Sequence, residues 1–390
     1  MNLSKSMSNK KLFYITFQSF PSISANSIQS MKMIKYFNKA GYQVELIHPG
    51  RKSLEENISI SEYYKIPDEV NINEIKWFLN FDQFRYFKSI YYVLSHFLWT
   101  MKVMRTYINN SPDTKNALFF TRSNWALYFL AKRNYKVIFE LHKLSKTTSF
   151  VFKKIKNNQN VGYVVLNKFL LKDSNLNKTQ QINLEILPNS FDEEDFTNYP
   201  PRRRNPNSFI FIGRLTRYGE DRNIQFLVEA FNSVRLKNYT LTIIGGPFSE
   251  YRKLYQYVEE NKINNVKILN HIPQNKIAEV ISEFEAGILI NSSDSDSTKL
   301  YTSPLKYFEY LAAGLTVLAV DFESHKILPF ADKISFFKEN DYESFEKAVK
   351  NIAMISKPND DELKNFSYSN RISSVDKLFA RLEGFEPPTL

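Results

Sequence analysis

The sequence predicts an α/β protein made of two Rossmann-like, doubly wound domains facing each other across a cleft. Three observations point there. Short apolar runs alternate with segments of helical spacing, and the alternation restarts after a proline-rich break. The 390 residues also exceed what one ordinary core holds. Apolar residues at 43% and aromatics at 15% are enough to fill two cores.

The first domain is expected over residues 1–195. Lys11–Phe17 (KLFYITF) is a compact apolar run suited to a buried strand. Ser27–Ala40 places Ile28, Met31, Ile34 and Phe37 at helical spacing, and Tyr42–Ile47 follows as a second strand, completing a βαβ unit. Ala117–Phe120, Val137–Leu141, Val161–Leu166 and Leu184–Leu187 read as further strands, with a helix over Trp125–Lys132. Pro200, Pro201 and Pro206, in a switch from acidic to basic charge, mark a linker over 196–207.

The second domain, 208–380, repeats the pattern. Strands are expected at Phe209–Ile212, Thr240–Ile244, Val266–Leu269, Gly287–Ile290 and Thr316–Val320. Helices are expected at Ile224–Val234, Glu250–Asn261, Asn275–Phe284 and Pro304–Ala313. The tail Arg381–Leu390 breaks the helical pattern before it and is expected to be unstructured.

A net charge of +11 and a pI near 9.3 attract anions: nucleic acid, an anionic membrane surface or phosphorylated small molecules. The absence of cysteine excludes disulfides and thiolate metal sites. Met1–Lys11 is polar and precedes only a short apolar run, so no export signal is expected. No run of about 18 apolar residues is present to span a bilayer. The expected location is cytoplasmic, with a peripheral position at the inner face of the membrane as an option.

Ligands of doubly wound sheets sit beyond the carboxyl ends of the strands, so the chemistry is sought in the strand-to-helix loops. Gly213-Arg214-Leu215 closes the first strand of the second domain, with Arg217 and Arg222 close behind. Glycine lets backbone approach a ligand, and arginines beside a helix start can fork onto a diphosphate. A solvated basic loop is the plain alternative. Ser303-Pro304-Leu305 reads as a helix cap and first turn, and Gly314 as the stop. Its unpaired N–H groups could hold phosphate oxygens, and Glu309 on that helix could accept both hydroxyls of a ribose. The plain alternative is a surface glutamate on an amphipathic helix.

Two further features have competing readings. Asp294-Ser295-Asp296 lies in a polar run and is read as a loop rather than a metal site. Trp77–Tyr107 interleaves aromatic and basic residues, and Lys143–Lys156 is a second basic stretch. Helices packing on the sheet compete there with an interfacial membrane surface. No G-x-G-x-x-G occurs, which argues against an oxidoreductase.

Taken together, FIFIGRLTRYGEDRNIQFLVEAF, LTIIGG, NNVKILNHIPQNKIAEVISEFEAGILIN and SPLKYFEYLAAGLTVLA resemble a known donor half. It is that of the family-4 (group 1) retaining glycosyltransferases of the GT-B fold. The resemblance covers most of the chain from Ile186 to Ile352, including ILPNSFDEEDF, the segment leading into the family's hinge. ANSIQSMKMIKYFNKAGYQVELI and FTRSNWALYFLAKRNYKVIFELH are similar to the acceptor domain.

The resemblance implies a metal-independent enzyme that uses no cofactor. Its donor would be a nucleotide-diphosphate-sugar, a UDP- or GDP-sugar first. Its acceptor would be a glycan or a lipid-linked acceptor in surface polysaccharide synthesis. Gly213, Arg214 and Arg222 would hold the diphosphate, with the helix start at Ser303, Pro304 and Leu305. Glu309 would hold the ribose, and backbone at Ile272 would meet the base. His142, at a strand end of the first domain, would bond the donor sugar or the leaving phosphate. Tyr301 stands where the family often carries a second glutamate. A sugar-nucleotide epimerase and a non-catalytic nucleotide or glycan binder are the alternatives. A nucleic-acid binder explains the charge but neither motif.

Overall fold

The computed structural model describes residues 10–51, 58–77, 88–197, 204–217 and 220–385. The chain divides into two units, residues 1–187 with 368–390, and residues 188–367. In the first unit seven strands form one parallel sheet. They are β1 (Lys11–Ile15), β2 (Gln43–His48), β3 (Asn71–Glu74), β4 (Leu118–Thr121), β5 (Lys136–Leu141), β6 (Val161–Val165) and β7 (Leu184–Ile186). Their order is β3-β2-β1-β4-β5-β6-β7. The first strand therefore lies inside the sheet, and the chain adds strands first to one side of it and then to the other.

Apolar runs without alternation are what a strand buried on both faces requires. Phe13 stacks on Phe119 and Tyr14 on Phe120, both with centroids 5.3 Å apart. These are register partners pointing to opposite faces. On the Tyr14 face, Leu12, Phe37, Leu46, Ile138 and Val164 form a core with Tyr368, Ile372, Val375, Leu378, Phe379 and Leu382. The last six residues all come from the Tyr368–Glu383 helix.

The second unit holds β8 (Ser208–Arg214), a small antiparallel hairpin of β9 (Thr216–Arg217) and β10 (Glu220–Asp221), β11 (Thr240–Gly246), β12 (Val266–Leu269), β13 (Ala286–Leu289), β14 (Thr316–Val320) and β15 (Ile334–Phe337). Its six-stranded parallel sheet runs β12-β11-β8-β13-β14-β15. It is sandwiched between two apolar clusters, one around Phe209, Leu227 and Phe345 and one around Ile210, Tyr310 and Val317.

The unit boundaries differ from the sequence expectation. Residues 188–195 belong to the second unit, where Phe191 joins the cluster of Tyr310 and Leu311 and Asn189 bonds to Ser303. The proline-rich break lies downstream of that crossing, and 198–203 fall outside the described residues. The chain returns to the first unit at Tyr368, not at a terminus near 380. The expected loose tail is corrected for its first residues, and 386–390 lie outside the described ones. Residues 381–383 continue the helix, with Arg381 paired to Glu185 and Glu383 to Lys10. The polar edge strand β3 has no apolar run to betray it. The helices expected to reach Val234 and Phe284 stop at Phe231 and Ile281.

Four histidines are buried or nearly so, and burial, the largest cause for each, lowers their basicity. His48, His142 and His325 are held at about 4 and His96 at about 3. In the unfolded chain each would take a proton near pH 6.5. The unfolded state therefore gains protons first as pH falls, and stability drains away between about pH 6.5 and pH 4. Asp376, pushed up to about 6 by burial, works in the opposite direction as a single group. The urea midpoint is accordingly expected to be lower at pH 5 than at pH 7.5. A midpoint equal or higher at pH 5 would contradict this.

Gly245 faces Gly213 across β8 and β11, and a Cβ built on it would lie 1.9 Å from the Gly213 carbonyl oxygen. Backbone cannot yield as a flexible side chain does. Gly245→Ala should cost about 1–3 kcal/mol as overpacking, read as a lower denaturation midpoint. Unchanged stability would show that the strand ends are looser than drawn.

Candidate functional site

The strand order of the second unit's parallel sheet reverses beside β8, since β11 lies on one side of it and β13 on the other. In open α/β sheets that reversal leaves a crevice at the carboxyl ends of the strands, where ligands bind. Here β8 and β11 run in register to Gly213 opposite Gly245 and Arg214 opposite Gly246. Three of these four positions are glycine; Gly245 is buried, and Gly213 and Gly246 are partly exposed, where a ligand could approach backbone. The Leu215 N–H donates to the Gly246 carbonyl at 2.9 Å. The β9–β10 hairpin then brings Arg222 back over the strand ends, with its N–H donating to the Leu215 carbonyl at 3.3 Å.

Arg222 sits in the crevice itself. Nη1 donates to the Arg214 carbonyl at 3.1 Å, at the end of β8. Nη2 donates to the Ile290 carbonyl at 3.3 Å and Nε to Asn291 Oδ1 at 3.1 Å, both just beyond β13. The guanidinium also lies 5.8 Å from the centre of the Phe211 ring. One charged side chain thus spans the two diverging strands. Arg214 is exposed, and its side chain makes no hydrogen bond or ion pair among the described residues. The side chain of Arg217 lies outside them. Behind the pair, Glu339 Oε1 accepts from Asn223 Nδ2 at 2.8 Å and from the Ser293 N–H at 2.9 Å, tying the two loops together. Asp296 does not join this site; it opens a short helix capped by Ser295 and pairs with Lys299 at 3.8 Å.

The Leu305–Ala312 helix follows β13 and precedes β14, so its N-terminus lies at the same rim. The expected cap is corrected. Pro304 occupies the cap position and Leu305 is the first helical residue. Ser303, buried, instead accepts from the Asn189 N–H at 2.8 Å. Its hydroxyl is used to hold the entering chain, which leaves the helix start without a side-chain cap. Gly314 ends the helix at φ +70°, and Arg204 Nη2 donates to the Ala313 carbonyl at 2.8 Å.

Glu309 is only 9% exposed. Oε1 accepts from Gln274 Nε2 at 3.2 Å and Oε2 is paired with Lys306. Gln274 lies two residues past Ile272, so the β12 loop and the helix meet at this carboxylate. Tyr301 is half-buried in the loop between the Asp296–Lys299 and Leu305–Ala312 helices. The link to the arginines is Tyr310. Its hydroxyl accepts from the Ile212 N–H at 3.2 Å, at the end of β8. Burial raises that hydroxyl and the Ile212 hydrogen bond lowers it; after these, Glu309 raises it and Arg222 lowers it. Both charges therefore act on one phenol. Lys306 and Gln274 were missed from the sequence, although Lys306 stands at the helical i, i+3 spacing from Glu309.

His142 belongs to the other unit, just past β5. Beside it Glu140 is fully buried between Arg122 and Arg371. Nothing in the sequence brings Arg371 to this place, since it lies 231 residues from Glu140.

Residues 206–354 match the family described as Glycosyl transferases group 1. No curated protein matches the chain by sequence. Among solved structures, it is similar to a glycosyltransferase from Rickettsia africae (13% identity, 97% of this chain and 100% of that one, TM-score 0.63). It is also similar to HepE of Anabaena in complex with UDP and glucose (11%, 96% and 99%, 0.59). A third is WaaG, a glycosyltransferase involved in lipopolysaccharide biosynthesis (11%, 96% and 98%, 0.57). At these identities the likeness fixes the fold, and the family model fixes the relationship of the second unit. Residues 206–354 therefore belong to the group 1 glycosyl transferases, and the chain carries them on the GT-B fold.

Proposed function

We propose that the protein is a retaining glycosyltransferase that moves a sugar from a nucleotide-diphosphate-sugar to a glycan or lipid-linked acceptor. The observation that carries this reading is the Arg222 guanidinium fixed in the β8–β13 crevice, with exposed Arg214 beside it. A cation already held by protein groups needs no reorganisation when a diphosphate arrives or when charge grows on it as the glycosidic bond breaks. Charge compensation by two guanidiniums is why the reading invokes no metal.

Glu309 suits the ribose. Each carboxylate oxygen has two lone pairs, so contacts to Gln274 and Lys306 leave capacity for sugar hydroxyls. The bare rim at Gly245-Gly246 and the backbone around Ile272 would take the remainder of the nucleotide. The complex of HepE with UDP and glucose makes a UDP-sugar the first donor to try.

The first unit is read as the acceptor half. Its Lys88–Thr106 helix exposes Ile90, Tyr92, Val93 and Leu94, and the Lys146–Lys154 helix exposes Phe150 near Lys153 and Lys154. Residues 78–87 of the aromatic stretch lie outside the described residues. No described helix is long and apolar enough to cross a membrane. An exposed apolar face with lysines nearby suits peripheral contact with an anionic bilayer, where a lipid-linked acceptor would be met.

Tyr301, where the resembled family often has an acid, favours a second reading: donor binding without turnover. Calorimetric titration with UDP and with GDP tests the diphosphate assignment. Arg214→Ala and Arg222→Ala each remove hydrogen bonds to a charged group, about 1.5–3 kcal/mol, and should weaken binding roughly ten- to hundredfold. Wild-type affinity in both variants rejects the assignment. Tight binding with no product on any acceptor supports the second reading.

A further inference from the structure

At the amino ends of β5 and β6, the end of the first sheet opposite His142, the surface sinks into a depression of about 570 Å³. Its walls are the carboxyl ends of the Asn124–Lys132 and Lys146–Lys154 helices and the turn over 155–160. Asparagines fix that shape. Asn158 Nδ2 donates to the Ala131 carbonyl at 2.6 Å, and Asn158 Oδ1 accepts from the Asn160 N–H at 2.8 Å. Asn160 Nδ2 donates to the Asn134 carbonyl at 3.1 Å, and Asn177 Nδ2 donates to the Lys156 carbonyl at 3.2 Å. The turn is thereby fastened to the helix end, so the depression is formed before any ligand arrives.

Lys132, Lys153, Lys154 and Lys156 line it, all exposed, and no carboxylate does. None of the four pairs with an acid among the described residues, whereas Lys253, Lys326, Lys347 and Lys350 of the second unit all do. The local sequence supplies no acid either, since the chain between Glu140 and Asp173 carries seven lysines and no carboxylate. Lysines near a helix carboxyl end commonly do no more than offset its dipole. Here two such ends together carry about one negative charge, so four lysines exceed what they need by about three positive charges. That surplus is left for an anion from outside the chain.

We infer that this depression is a second anion site, which takes a compact, multiply phosphorylated solute. A concave site admits a compact group among the four ammoniums, whereas a flat bilayer would meet only their tips. Lysine is a point charge with rotatable donors, so it meets phosphate oxygens without demanding a fixed fork geometry. The site lies away from the strand carboxyl ends, where the ligands of such a sheet are expected. It is therefore independent of the glycosyltransferase reading.

The test is lysine acetylation of the full chain with a limiting amount of reagent, read residue by residue by mass spectrometry. It is run with and without sodium tripolyphosphate at matched ionic strength. The four lysines are expected to be protected together, while the exposed Lys237, Lys253 and Lys347 are not. In a variant carrying Lys153→Gln, Lys154→Gln and Lys156→Gln, half-protection of Lys132 should need about tenfold more tripolyphosphate. Lys237→Gln, Lys253→Gln and Lys347→Gln together remove equal charge and should leave that concentration unchanged. Equal labelling of the four lysines with and without tripolyphosphate overturns the proposal, and this arm needs no variant to fold. Protection of Lys132 at the wild-type concentration in the first variant overturns it too. Protection by phosphatidylglycerol vesicles but not by tripolyphosphate overturns it in favour of a bilayer surface.

Discussion

In both units the chain lays its first strand inside the sheet and builds outward, so the loops diverge where the strand order reverses. That divergence opens a crevice between β8 and β13, and Arg222 bridges it with bonds to the backbone beyond each strand. Remove the reversal and there is no reason for a guanidinium to stand between two carbonyls at a strand rim. Given the reversal, the rest follows. Glycine is required where β8 and β11 come too close for a side chain. The Leu305–Ala312 helix must start at the same rim because it crosses back to a parallel neighbour.

The first unit uses the same architecture for a different kind of anchoring. At its strand ends the charged cluster is buried, and the carboxylate is held by two cations at once. Breaking a buried pair by removing one partner typically costs about 3–5 kcal/mol, because the other charge is left without compensation. Arg122, Glu140 and Arg371 therefore contribute rigidity around His142 whatever they contribute to chemistry. The Tyr368–Glu383 helix also explains how a segment at the far end of the chain belongs to the first core. Gly162 leaves room for Leu378, whose nearest atom would lie 3.1 Å from a Cβ at that position.

Much of this was legible in the sequence. Continuous apolar strands, helical spacing in Ser27–Ala40 and the turn at Gly213-Arg214 give the fold class and the rim of the candidate donor site. The Ser303-Pro304 start was placed within one residue, yet the capping role given to Ser303 was wrong because its hydroxyl serves Asn189. That partner lies 114 residues away and leaves no local signal. The unit boundary was misplaced for a related reason. Prolines and charge mark where the chain is polar, whereas the crossing is set by which core Phe191 and Tyr368 enter. Nothing local in the sequence marks Arg122 and Arg371 as partners of Glu140; the fold brings both to it.

The most direct test is a crystal structure of the protein with UDP bound. The expected density places the diphosphate at the Gly213–Arg214 rim, within hydrogen-bond reach of the Arg214 and Arg222 guanidiniums, and the ribose hydroxyls on Glu309. A nucleotide seated away from the β8–β13 crevice, or held with neither arginine in reach, would contradict the account.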